Sequence, residues 1–238
     1  VLLALILPLV VVGGALHDVS NFIVVVSVMT LGAAFMTLGS LDSGNALYGN
    51  IASRYLTLVA LSVPTLILVF VALAITTGSS ALDGVIMGTR GEGYLLAKAP
   101  YLSLSVSALM LIALIHNARS PVDGANRSQG VVGLQSALLA NYSGPYLVML
   151  EYAGALKLTI FSLLIANLIW PWPLVVTTSA PFEVAAALGA SLLKVTVLMF
   201  GLAVLEATVA RLRFYRTQEL LTGAFFLSLT GLALTLLA

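Results

Sequence analysis

The chain has 238 residues, of which 61% are hydrophobic and 8% charged, and its ten basic and nine acidic side chains leave a net charge of +1. Soluble chains carry about 25% charged residues, so this composition excludes a soluble domain, and near-neutrality gives no reason to expect nucleic acid as a partner. There is no cysteine, which excludes disulfides, thiolate metal sites and iron–sulfur clusters held by this chain alone.

A membrane-spanning helix needs about 20 mostly apolar residues. In chain order, seven stretches meet that pattern: 1–16, 21–40, 56–78, 99–116, 144–170, 182–209 and 219–238. None alternates as a barrel strand would. The expected fold is an all-α integral membrane protein, one membrane domain over 1–238. The chain starts at Val1 inside an apolar run. A signal peptide would begin with positive charge, so a truncated N-terminus hiding an earlier helix is the expectation.

The connections between these stretches alternate sides. One set, 41–55, 117–143 and 210–218, holds Arg54, Arg119, Arg127, Arg211, Arg213 and Arg216. The other, 17–20, 79–98 and 171–181, holds Arg90 and Lys98. The positive-inside rule puts the Arg-rich set in the cytoplasm. Trp170, Pro171, Trp172 and Pro173 end the fifth span on the outer side, where Trp anchors at the interface and Pro stops the helix.

Several charges fall inside the spans. An ionisable group there costs several kcal/mol unless it is paired or faces water, and by default it marks an ion path, a proton relay or a subunit contact. The fifth span carries Glu151 and Lys157. Six residues is about 600° of helix, some 120° off a shared face, so the two are poor direct partners. Asn167 adds a polar group further along. In the sixth span Lys194 and Glu206 are about 18 Å apart along the axis and must find partners elsewhere. Lys194 snorkelling outward, with Glu206 compensated by Arg211 at the cytoplasmic end, is the plainer reading. His17 and His116 are too few and too far apart in sequence to mark a metal site.

The longest cytoplasmic segment, 117–143, runs through Arg119-Ser120-Pro121-Val122-Asp123 to Asn141-Tyr142-Ser143-Gly144. Arg119 and Asp123 can pair across the turn that Ser-Pro starts. Residues 131–139 are too short to span and suit a short amphipathic or re-entrant helix. A loop that merely joins two spans is the alternative. After Glu206, Arg211, Arg213 and Arg216 leave the membrane together. They suit an acidic protein surface through bidentate contacts, or equally an anionic lipid surface.

These pieces in order resemble the complex I subunit-1 family, in particular the membrane subunit of group 4 nickel–iron hydrogenases of the hydrogenase-4 and formate hydrogenlyase type. The residues that carry it are Gly39 to Ala46 with Ala52-Ser53-Arg54, Ala118 to Asp123, Asn141 to Gly144, Glu151 to Leu158 with Ile165 to Leu168, and Glu206 to Arg216. The match they anchor extends over nearly all of the chain. The resemblance implies an eight-helix subunit, here without its first helix, in the cell inner membrane at the junction of a cytoplasmic hydrogenase arm and antiporter-like subunits. The loop from Arg119 to Ser143 would face the hydrogenase small and large subunits. Those partners would hold the iron–sulfur clusters and the nickel–iron centre, and this chain no cofactor and no catalytic residue. Asp42, Glu151, Lys157, Lys194 and Glu206 are the ion-path candidates. Arg54, Arg119, Asp123, Tyr142, Arg211, Arg213 and Arg216 are the arm-interface candidates.

The chain departs from relatives at Tyr55, Val63, Gly130, Ser136 and Asn141, where they carry acidic residues, and at Gly124, where they carry a second Asp. Neutral replacements cannot carry a proton by titration. The leading expectation is therefore a non-catalytic membrane subunit of an oxidoreductase complex that anchors the redox arm, with coupling of electron transport to proton or sodium translocation as its finer form. Alternatives are a quinone-site subunit of a complex I-type NADH dehydrogenase and a stand-alone ion transporter. Val122 before Asp123, where quinone-reducing relatives tend to show Phe, tilts against the former. A transporter would need no iron–sulfur partners.

Overall fold

The computed structural model describes residues 7, 11–12, 20–42, 44–91, 100–117, 138–171, 175–176, 181–208 and 214–237. Among these the chain forms seven helices: α1 Phe22–Leu41, α2 Ala46–Thr77, α3 Leu82–Gly91, α4 Leu102–His116, α5 Pro145–Ile169, α6 Pro181–Thr208 and α7 Phe214–Leu237. Five of them (α1, α2, α5, α6 and α7) are long and apolar enough to cross a membrane, and the protein is all-α as expected.

The boundaries differ from the expectation in instructive ways. Residues 41–55, read as a loop, are mostly helix. Asn45 caps α2, its Oδ1 accepting from Leu47 N at 3.0 Å, and α2 then runs 32 residues. That is about 48 Å, well beyond the ~30 Å apolar layer. Arg54 is therefore a helix residue, exposed on the third turn. Pro64 sits inside α2, a position that membrane helices tolerate because neighbours re-satisfy the freed carbonyl. The stretch 79–98, also read as a loop, contains α3. Gly78 in the left-handed conformation (φ 70°) ends α2, and the chain turns back so that Leu82 N–H donates to Ser20 O at 3.0 Å. α7 starts at Phe214, earlier than the expected 219, which moves Arg216 from loop to helix. Of the expected span 1–16, Leu7 is buried, and Val11–Val12 pair in parallel with Val175–Val176, so a continuous helix does not run through those two positions. The rest of that span lies outside the described residues, as do 118–137, which include most of the expected short amphipathic helix.

The core lies where α1, α2, α4 and α5 meet. Val25 and Met29, Leu66, Val69 and Leu73, Leu102, Leu109 and Ile112, and Ile160, Phe161 and Leu168 pack into one cluster. Between membrane helices the gain is van der Waals contact, which small residues at the crossing increase. Ala72 and Ala108 are fully buried in that cluster. Gly231 of α7 lies directly against Ser105 of α4. α6 is different: its large apolar side chains, Phe182, Leu192, Val197 and Phe200 among them, are exposed. They present an outer face to lipid or to another subunit.

The α7–α4 approach depends on the missing Cβ. Gly231→Val should destabilise the purified protein by about 1–3 kcal/mol in SDS-induced unfolding. Gly223→Ala, where a Cβ meets nothing within 4 Å, should not.

Candidate functional site

Two lysines stand inside the bundle, and each is held by neutral groups. Lys157 is on the fourth turn of α5, half-buried. Its ammonium donates to Tyr55 Oη of α2 at 3.2 Å and to the backbone carbonyl of His116, the last residue of α4. It also lies 5.9 Å from the centroid of the Tyr55 ring, within range of a cation–π attraction. Among the described residues it has no carboxylate partner. The carbonyl end of a helix carries about half a unit of negative charge, so the C-terminus of α4 compensates part of the ammonium's charge.

The His116 ring continues the network. It is 1% exposed, and its Nε2 lies 2.8 Å from Ser62 Oγ of α2. Ser62 Oγ in turn donates to Val59 O at 2.6 Å. Both contacts are satisfied when Nε2 carries the ring proton and donates to the serine. The ring also packs on Phe161 of α5, centroids 5.6 Å apart. His116 Nδ1 and the neighbouring Asn117 Oδ1 are then two buried acceptors with no donor among the described residues. Asn117 Nδ2 donates to Ala113 O at 2.8 Å, which fixes its Oδ1 as the free end.

Lys194 of α6 is 8% exposed and donates to Asn167 Oδ1 of α5 at 3.0 Å, so it points into the bundle and not out to the head groups. Asn167 is ten residues beyond Lys157 on α5, about 15 Å along the axis, so the two lysines form separate centres.

The remaining candidates are more peripheral. Asp42 is exposed at the end of α1, where its N–H donates to Leu38 O at 3.1 Å. A carboxylate there opposes the dipole of α1, but the N-terminus of α2, three residues on, favours it. Glu151 is exposed on the second turn of α5, and Glu206 is half-buried near the end of α6. Lys157 bonds α2 and α4, not Glu151. Tyr142 packs over Gly39 of α1, where a Cβ would collide with its hydroxyl. Arg119, Asp123, Arg211 and Arg213 lie outside the described residues, and Arg216 is placed only as part of α7.

Tyr55, Ser62 and His116 were missed as members of the site. Tyr55 was read only as the loss of an acid, and no sequence signal ties Lys157 to a carbonyl 41 residues earlier. Asn167, a polar group in the sequence reading of the same span, is the acceptor for Lys194.

A groove of about 730 Å³ opens between α1 and α5, with Gly32, Ala33 and Met36 on one wall and Met149, Ala153 and Lys157 on the other. Tyr55 and Tyr142 reach it as well. No group of three or more His, Asp or Glu side chains suited to a metal ion occurs among the described residues.

This bundle of apolar helices with cations held in its interior defines a multi-pass membrane protein. The family model for NADH dehydrogenase matches residues 1–238, and the chain belongs to that family, of the complex I subunit 1 type. Hydrogenase-4 component C of Escherichia coli K12 is 30% identical over 213 residues, which cover 89% of this chain and 65% of that protein. Formate hydrogenlyase subunit 4 of the same organism is 25% identical over 219 residues, 92% of this chain and 69% of that protein. The chain thus spans about two thirds of the length of these relatives.

The Lys194–Asn167 contact makes a sharp prediction. Asn167→Leu leaves a buried ammonium without its acceptor and should cost roughly 3 kcal/mol, whereas Asn167→Leu with Lys194→Met should recover most of the loss. Thermal unfolding in detergent measures both.

Proposed function

We propose that this chain is the non-catalytic membrane subunit of a hydrogenase-like respiratory complex, anchoring a cytoplasmic redox arm and taking part in the coupling of electron transfer to proton or sodium movement. The observation that supports this most is the likeness to hydrogenase-4 component C over 89% of the chain. Iron–sulfur clusters and a nickel–iron centre would belong to partner subunits, and antiporter-like subunits would flank this chain in the inner membrane. The exposed face of α6 offers room for such a neighbour.

The ion-path role rests on charge inside the bundle. Carbonyl, phenol and amide oxygens accept hydrogen bonds from Lys157 and Lys194 there. Neither is locked by a carboxylate among the described residues, so each remains able to respond electrostatically to charge that arrives nearby. Glu151, exposed on α5 toward the Arg-rich end, is the acid best placed to exchange with water or a neighbouring subunit. The arm-contact role falls on the Arg-rich sequence segments around Arg119, Asp123 and Arg211 to Arg216, and on Arg54, exposed on α2.

Two measurements test the reading. Arg119→Ala or Asp123→Ala should lower recovery of arm subunits on purified membranes, and equal recovery with wild type counts against the anchoring role. Glu151→Gln should reduce ion movement driven by hydrogen oxidation while leaving hydrogen oxidation with an artificial acceptor intact. Should both activities stay at wild-type level, Glu151 is a structural residue. A chain that transports ions without iron–sulfur partners would instead be a stand-alone transporter.

A further inference from the structure

We infer that the groove between α1 and α5 is a binding site for a single-chain anionic amphiphile of the fatty-acid class, its carboxylate on Lys157 and its tail along the α1 wall. The inference is independent of the proposed function.

The head group follows from the donors. An ammonium has three N–H groups, and Lys157 spends two on Tyr55 and the His116 carbonyl, leaving one. Tyr55 Oη accepts from Lys157, so its own O–H is free to donate. Tyr142 brings a second hydroxyl to the same groove. Among the described residues, the polar side chains lining the groove are thus Lys157 and the tyrosines Tyr55, Tyr142 and Tyr146, with no carboxylate among them. Donors outnumber acceptors, and the net charge is positive. The α4 carbonyl terminus supplies only about half a negative charge. An anionic oxygen completes both the hydrogen bonding and the charge. A neutral carbonyl would complete only the first.

The tail follows from the walls. Gly32, Ala33, Phe35, Met36, Met149 and Ala153 are apolar, and the methionines adapt to irregular chains. A volume of about 730 Å³ is in the usual ~300–1,000 Å³ range for one small ligand. Phe35 and Met149 are 65% and 69% exposed, so the groove opens sideways toward lipid, which provides entry. Lipid tails are as apolar as these walls. The tail therefore contributes fit and not discrimination, and selectivity must come from the charged head.

The test uses the purified full-length protein in a nonionic detergent, with labelled oleate as probe and methyl oleate as its uncharged counterpart. Oleate should bind at least ten-fold more tightly than the ester. Lys157→Gln should abolish that preference. Gly32→Leu, at a position where a Cβ meets nothing within 4 Å, should fill the groove and exclude oleate while leaving Lys157 and its partners in place. Acetate should not displace oleate at matched concentration. Equal binding of acid and ester, oleate binding unchanged by both substitutions, displacement by acetate, or competition by a neutral short-chain quinone with equal strength would each overturn the assignment.

Discussion

A cation inside a membrane bundle must be held by something, and here the holder of Lys157 is the end of another helix. A lysine at the centre of a spanning helix costs about 3 kcal/mol on translocon scales. A hydrogen bond to a charged group returns roughly 1.5–3 kcal/mol, and Lys157 makes two. The ammonium therefore joins three helices at one point: α5 carries it, α2 gives the phenol and α4 the carbonyl. Neutral dipoles suffice because the helix terminus brings a carbonyl that has no partner within its own helix.

That arrangement explains the uneven helix lengths. α4 has only 15 residues, about 22 Å, and stops where Lys157 meets it. α2 and α5 pass that level and continue. Their N-terminal parts carry exposed side chains, Arg54 on one and Glu151 and Tyr152 on the other, while Leu66 to Leu73 of α2 and Ile160 to Leu168 of α5 together contribute most of the two helices' buried residues. The groove beside α1 opens at the same level. Short α4, long neighbours and a lateral opening are thus one feature seen from three sides.

The sequence made the class of the protein legible. Long apolar runs separated by polar connections can form only helices in a membrane, and the order of motifs from Gly39 to Arg216 pointed to the family. Helix ends were less legible, because the mixed stretch 46–55, with Gly49, Asn50 and Arg54, reads as a loop although Asn45 is a good cap and no proline breaks the helix there. The partners of the buried charges were the least legible. Carbonyls carry no side-chain signature, so the Lys157–His116 contact leaves no mark in composition or spacing. Tyr55 carries no charge that would mark it as a partner, yet its phenol is one of the two acceptors of Lys157. Lys194 reads in the sequence either as seeking a partner elsewhere or as snorkelling, because its distance from Glu206 is apparent and its proximity to Asn167 on the preceding helix is not.

The central claim is that Lys157 is tied to the C-terminus of α4 and not to an acid or to lipid. An experimental density map of the full-length chain in a lipid nanodisc, at a resolution that shows lysine side chains, tests it most directly. The account predicts the Lys157 Nζ in hydrogen-bonding contact with both the His116 carbonyl and the Tyr55 hydroxyl. A Lys157 side chain extended among acyl chains, or bound to a carboxylate with the end of α4 left bare, would contradict it.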